Sequence, residues 1–166
     1  MQVLRRSHAS VLLPDGRVLI TGGRPTDNRA TDTAEIFDPR TGATTSASSM
    51  VGGARSYHSA LWLPSVGKVL VVGGGVSAPE LFDPATGEWS RTALPEPGLL
   101  LSLSQESGTA SLLADGRVLV AGGAVQGQPS AKVAIYDPVR NSWSSAPDMP
   151  WAVTLHSAVV WEGRVY

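Results

Sequence analysis

Apolar positions in this chain come in short runs of four to seven residues, each closed off by glycine, proline or aspartate. Residues 7–13 are small and apolar. Residues 17–21 are apolar and β-branched, residues 33–37 carry Ala34, Ile36 and Phe37, and residues 43–47 are shorter and more polar. Runs of this length with turn signals between them predict antiparallel strands. Gly and Pro are spaced along the whole length, so no window supports a long amphipathic helix.

The pattern recurs. An apolar strand ending in a glycine pair is followed by an aromatic-Asp-Pro turn: Gly22-Gly23 with Phe37-Asp38-Pro39, Gly73-Gly74 with Phe82-Asp83-Pro84, and Gly122-Gly123 with Tyr136-Asp137-Pro138. The first glycines lie 51 and then 49 residues apart, which predicts a repeat architecture of four strands per copy. Asp15-Gly16 and Asp115-Gly116 sit between apolar runs as hairpin signals, and the middle copy has the longer Pro64-Ser65-Val66-Gly67. Four residues after each turn aspartate stands Gly42, Gly87 or Asn141, residue types that tolerate a left-handed backbone. The three turns are therefore expected to share one geometry, closed by a residue with positive φ. Two residues later comes Thr44, Trp89 or Trp143. Four twisted strands cannot bury both faces alone, so each copy must stack on the next, the logic of a propeller.

These residues resemble the kelch repeat. Its glycine pair, aromatic and tryptophan are matched by Gly22, Gly23, Gly73, Gly74, Gly122 and Gly123, with Phe82 before Trp89 and Tyr136 before Trp143. A lead-in appears as Arg6-Ser7-His8 and as Arg55-Ser56-Tyr57-His58; copy three has Ser107-Gly108-Thr109-Ala110 instead. The resemblance implies an all-β, kelch-type β-propeller. Blade one is expected at 5–50, blade two at 55–94, blade three at 107–147 and the start of a fourth at 155–166, together a single partial propeller over 1–166. The tail stops before its glycine pair and Met1 lies close to the first strand, so the chain reads as an interior or truncated piece of a larger ring. An open arc exposes apolar blade faces. Its expected partners are the remaining blades or further copies of itself, and poor stability or aggregation is the third outcome.

The formal net charge of −1, with basic residues scattered, gives no reason to expect nucleic acid or an acidic membrane surface. The absence of cysteine excludes disulfides and thiolate metal sites. No stretch has the length of a membrane span, and the amino terminus lacks the apolar core of a signal peptide.

His8, His58 and His156 fall at one repeat position, where three imidazoles converging on an axis could bind a metal. Their spacing fits repetition rather than coordination, and a fourth ligand is not apparent, so no metal site and no cofactor are assigned. Arg6 and Arg55 precede the innermost strand. In kelch proteins such arginines line the mouth of the ring, where a guanidinium suits carboxylates; the alternative is a structural arginine bonded to backbone carbonyls. Arg6, His8, Arg55, Tyr57, His58 and His156 are thus the candidate ligand-binding residues. The glycine pairs lack the helix and Lys-Ser/Thr of a phosphate loop and are read as close backbone approaches, and the recurring aspartates as turn formers. Two stretches stand outside the repeat: residues 95–107, about five residues longer than their counterparts, and the polar segment after Gly23 with Arg24, Asp27, Asn28 and Arg29, a contact surface.

No nucleophile–base pair emerges. The chain is expected to be a non-catalytic binding module for protein or peptide. The alternative is the propeller portion of a galactose-oxidase-like copper enzyme or of a sugar epimerase, with an active site completed outside these residues.

Overall fold

The computed structural model describes residues 2–75, 78–94, 99 and 106–166. Most of the longer stretch at 95–107 lies outside them.

Among the described residues the chain forms three four-stranded antiparallel sheets and two short hairpins. Sheet one contains β1 (Ala9–Leu12), β2 (Val18–Thr21), β3 (Ala34–Asp38) and β4 (Ala43–Ala47). Sheet two contains β5 (His58–Leu63), β6 (Lys68–Gly73), β7 (Glu80–Asp83) and β8 (Glu88–Arg91). Sheet three begins with β9 (Thr109–Leu112) and β10 (Val118–Ala121). A small hairpin follows, of β11 (Ala124–Val125) and β12 (Gln128–Pro129), before β13 (Val133–Asp137) and β14 (Ser142–Ala146) complete that sheet. The chain ends in the hairpin of β15 (Val160–Trp161) and β16 (Arg164–Val165). Within each sheet the strands pair in chain order, and the innermost strands β1, β5 and β9 contact one another in turn. The architecture is an all-β propeller arc: three blades and the first two strands of a fourth.

The turns explain the register. At the β1–β2 connection Leu13 N–H donates to the Arg17 carbonyl at 2.8 Å and Gly16 N–H to the Leu13 carbonyl at 3.0 Å. The Asp-Gly pair therefore works inside a three-residue loop, with Gly16 left-handed at φ 86°. Asp15 Oδ1 accepts from Arg17 N–H at 3.0 Å, and Asp115 does the same for Arg117 at 3.1 Å. In the Asp-Pro turns the aspartate side chain accepts from the backbone two residues on, at Arg40, Ala85 and Val139. The closing residues Gly42, Gly87 and Asn141 have φ of 71°, 75° and 48°, so the shared turn geometry read from the sequence is present in all three.

Stacking buries two apolar layers. Val11, Leu13 and Leu19 of blade one pack with Val69, Val71, Phe82 and Trp89 of blade two. Leu63, Leu70, Val72 and Leu81 of blade two pack with Val118, Ala134 and Tyr136 of blade three. Blade two thus alternates side chains between its neighbours, as strand pleating demands. Phe82 and Trp89 are cross-strand partners with ring centroids 4.9 Å apart, and Tyr136 and Trp143 repeat the pair at 4.7 Å. Each indole N–H also reaches back to the preceding blade, Trp89 to the Ser48 carbonyl at 2.8 Å and Trp143 to Thr92 Oγ1 at 3.1 Å. Burial and the neighbouring Asp137 push the Tyr136 hydroxyl up to about 12.

An added Cβ at Gly42 meets nothing within 4 Å, so Gly42→Ala isolates backbone strain. It should cost about 1 kcal/mol in denaturant unfolding. Asn141→Gly should also destabilise, because it removes the Oδ1 that accepts from the Tyr136 hydroxyl at 2.9 Å and from Ala93 N–H at 3.0 Å. An unchanged midpoint for Gly42→Ala would show that the turn relaxes out of the left-handed region.

Candidate functional site

The seam between blades is built on backbone proximity. A Cβ placed on Gly22 would lie 2.5 Å from the Arg55 carbonyl oxygen and 2.7 Å from the His58 ring; one on Gly122 would lie 2.5 Å from the His156 ring. The second glycine of the first two pairs clears its own blade's histidine: a Cβ on Gly23 would meet His8 at 2.9 Å and one on Gly74 would meet His58 at 2.7 Å. The glycine pair is therefore the slot that receives the histidine, which accounts for their recurrence together.

His58 and His156 are each held by a hydroxyl of the blade before. His58 Nε2 and Thr21 Oγ1 share a hydrogen bond of 2.8 Å, and His156 Nε2 and Thr109 Oγ1 share one of 3.1 Å. Thr21 is cross-strand partner of Ala9, and Thr109 of Ala121, so the hydroxyl occupies either strand of the same pair. Where blade three has Gly108 in place of histidine, Ser59 Oγ donates to its carbonyl at 3.0 Å. His8 takes the same position at the leading edge of the arc. Burial, then the Arg55 charge and then His8, depress the His58 pKa to about 3. The ring is neutral and structural at neutral pH. Among the described residues no group of three or more His, Asp or Glu side chains is arranged to hold a metal ion.

Arg55 and Glu80 form an ion pair of 2.6 Å with both side chains at 0% exposure. Arg55 also donates to the Gly73 and Ala78 carbonyls at 3.2 and 2.8 Å, and Glu80 Oε2 accepts from Val51 N–H at 2.7 Å. Desolvation pulls the Arg55 pKa down while Glu80 opposes it. In blade one the matching pair is Arg5 with Glu35 at 3.7 Å, Arg5 donating to the Gly22 carbonyl at 2.7 Å. The structural counterpart of Arg55 is thus Arg5, one residue earlier than the Arg6 that the lead-in pattern aligned with it. In blade three the acid position is Ala134, and the residue before Glu106 is Gln105, outside the described residues. The pair is kept whole or dropped whole.

This shift places Arg6 on the surface. Arg6, Ser56 and Glu106 occupy one repeat position, and Arg24, Gly75 and Ala124 another; the backbones bridge Arg6 to Arg24 and Glu106 to Ala124. The rim at the entrance to the innermost strands is therefore basic at blade one and acidic at blade three. The Arg6 guanidinium bonds Asn28 Oδ1. Arg24 donates to Ser56 Oγ at 2.9 Å, lies 5.2 Å above the Tyr57 ring and is 3.8 Å from Glu106. Leu4, Arg5, Arg6, Arg24, Pro25 and Thr26 line an open cleft of about 380 Å³ beside them.

A backbone ladder supports this rim. Ser7, Tyr57, Ser107 and Leu155 all have left-handed φ, between 54° and 59°. Tyr57 N–H donates to the Ser7 carbonyl at 2.9 Å, Ser107 to Tyr57 at 2.8 Å, and Leu155 to Ser107 at 3.2 Å. Of the sequence candidates, the structure brings Arg6 and Tyr57 to the open rim and puts Arg55 and His58 inside the blade stack. Arg5, the two glutamates, Glu106 and the ladder were not read from the sequence. The glutamate two residues before Phe37 and Phe82, replaced by Ala134 before Tyr136, was the available signal.

The kelch motif model matches residues 5–50 and 107–150, more than half of the 166 residues. The chain belongs to the kelch-repeat family. The middle blade, outside those two matches, has the same strand order as its neighbours and shares the cross-strand aromatic pair with blade three. A search of curated proteins found no match. No described helix is long and apolar enough to cross a membrane.

Three outcomes follow for this kelch chain. Gly22→Ala adds steric collision to backbone strain and should cost on the order of 3 kcal/mol, well above Gly42→Ala, by urea unfolding. Arg55→Met or Glu80→Met alone strands a buried charge and should cost about 3–5 kcal/mol, while the double variant should cost clearly less; additive losses would show the pair uncoupled. The unfolded chain protonates His58 near 6.5 and the folded chain only near 3, so the unfolded state binds more protons between these values. The stability this group contributes is complete above pH 6.5 and falls as pH drops towards 3, by at most about 1.4 kcal/mol per unit. The turn aspartates, held below 3.8 by their arginine or backbone donors, titrate at lower pH. His58→Gln should flatten the melting temperature between pH 6 and 4.5, and a retained slope would assign it to another group.

Proposed function

We propose that this kelch chain is a non-catalytic binding module whose rim takes a protein or peptide segment bearing carboxylates. The observation that carries this reading is the pairing of Arg6 and Arg24 at the open cleft, next to the exposed Tyr57. The neighbouring polar groups already have internal work. Arg55 is enclosed with Glu80, His58 is bonded to Thr21, and the turn aspartates bind their own loops. Arg6 and Arg24 bond Asn28 and Ser56, and their planar, permanently charged guanidinium groups stand at the accessible rim on a strand-supported frame. Arg24 is partly compensated by Glu106, so Arg6 is the stronger anion position. Tyr57 adds an aromatic face for an aliphatic or backbone segment. On this reading the units 5–50, 55–94 and 107–147 act as supports for one shared mouth, and the histidine position serves the seam.

The test is fluorescence polarisation with a panel of labelled peptides containing Asp or Glu, against matched peptides with Asn or Gln. Acidic peptides should bind selectively, more weakly at high salt. Arg6→Ala and Arg24→Ala should each weaken binding about tenfold, the scale of one charge-assisted hydrogen bond. Arg117→Ala, in a turn at the other end of the strands, should leave it unchanged. Equal binding of acidic and amide peptides, or insensitivity to both rim substitutions, would overturn the reading.

A further inference from the structure

Taking the rim as the acidic-peptide site proposed above, on which this step rests, we infer that Glu106 is a built-in competitor for the ligand. The carboxylate of an incoming peptide reaches Arg24 by displacing the Glu106 carboxylate. Glu106 thereby holds the affinity of the mouth for acidic segments below what its arginines alone would give.

Arg24 spans three blades. Its backbone bridges Arg6 in blade one, and its Nε donates to Ser56 Oγ in blade two at 2.9 Å. The guanidinium lies 5.2 Å above the Tyr57 ring, and Nη2 is 3.8 Å from Glu106 Oε1 at the entrance to blade three. Ser56 and Glu106 stand at the same repeat position in consecutive blades, so one side chain meets that position twice along the rim. Ser56 occupies the Nε edge of the guanidinium and Tyr57 one of its faces. The terminal amino edge is then the side on which a carboxylate is received. Glu106 is the group stationed there.

The molecule also shows what a structural Arg–Glu pair looks like in this fold. Arg55 and Glu80 are 0% exposed, and Arg5 and Glu35 are 0% and 3% exposed. Those glutamates accept backbone N–H groups as well, Glu80 from Val51 at 2.7 Å and Glu35 from Gln2 and Val3 at 3.0 Å. Arg24 and Glu106 differ on each count. Their side chains are 29% and 46% exposed, 3.8 Å is too long for a direct hydrogen bond, and Glu106 has no second side-chain partner among the described residues. An exposed pair of this kind adds little to folding. It does keep a negative charge beside an arginine whose direction two other contacts fix. A peptide carboxylate that forms parallel N–H···O bonds replaces that long contact with a shorter, charge-assisted one. A carboxamide brings no charge to the exchange, so the displacement is open to acids alone.

Fluorescence polarisation tests this with a labelled Gly-Ser peptide carrying two glutamates and with its glutamine counterpart. Glu106→Gln should tighten the acidic peptide about threefold, the scale of one exposed ion pair, and leave the glutamine peptide unchanged. Glu88→Gln removes the same charge from an exposed position on β8 and should alter neither. On an Arg24→Ala background the gain from Glu106→Gln should largely vanish, because the competition is for that arginine. Circular dichroism should show every variant folded. If wild type and Glu106→Gln bind the acidic peptide equally, or the variant binds it more weakly, the inference is overturned and the acidic-peptide reading stands. A gain of equal size in Glu88→Gln, or one undiminished on the Arg24→Ala background, overturns it in the same way. No selective binding of the acidic peptide by either wild type or Glu106→Gln overturns both.

Discussion

Everything in this arc depends on how closely neighbouring backbones approach at the inner seam. A methyl group at Gly22 would stand 2.5 Å from a carbonyl of the next blade, closer than any real Cβ contact. That proximity lets Gly23 N–H reach the Arg55 carbonyl at 2.8 Å and Gly123 N–H the Val153 carbonyl at the same distance. It also brings the ladder of Ser7, Tyr57, Ser107 and Leu155 into register. Four non-glycine residues in left-handed conformation cost about 1–2 kcal/mol each. Three inter-blade amide bonds accompany them, Tyr57 to Ser7, Ser107 to Tyr57 and Leu155 to Ser107, and offset that cost.

The seam conserves geometry more strictly than chemistry. The hydroxyl that meets the histidine sits on β2 in blade one and on β9 in blade three, yet reaches the same place because Thr21 and Thr109 belong to equivalent cross-strand pairs. When Gly108 replaces histidine, the Ser59 hydroxyl turns to a carbonyl instead. The Arg–Glu pair follows a related rule. Blades one and two hold both members, and blade three has neither the arginine nor the glutamate. A lone buried charge is far costlier than a pair or none, so the two positions change together.

The fold was legible because its signals are local. Asp-Gly hairpins, the left-handed turn residue and the glycine pairs each report a backbone conformation that few residue types can adopt, and Gly42, Gly87 and Asn141 report it three times. The site was legible only in part. Two consecutive arginines, Arg5 and Arg6, offer one-residue alternatives that a loose lead-in pattern cannot separate; the glutamate that chooses between them lies on β3. Trp89 and Trp143 were readable as large groups on a sheet face, but their indole bonds run to a different blade. Glu106 and Arg24 come from separate repeats and meet only after stacking, beyond the reach of any within-repeat spacing.

That last case bears on where recognition resides. A propeller repeat must keep its seam residues, so a side chain can diversify only where the frame fixes the backbone and leaves the tip free. Arg6, Ser56 and Glu106 share one such position, and Arg24, Gly75 and Ala124 another. The backbone around them is as regular as the rest of the arc, while the charge runs from positive to negative across one rim. Structural necessity cannot account for that gradient, since the same bridge forms between Arg6 and Arg24 as between Glu106 and Ala124. What varies there without disturbing the stack is the charge at the side-chain tip, and under the proposed function a ligand with its carboxylates towards blade one matches that gradient.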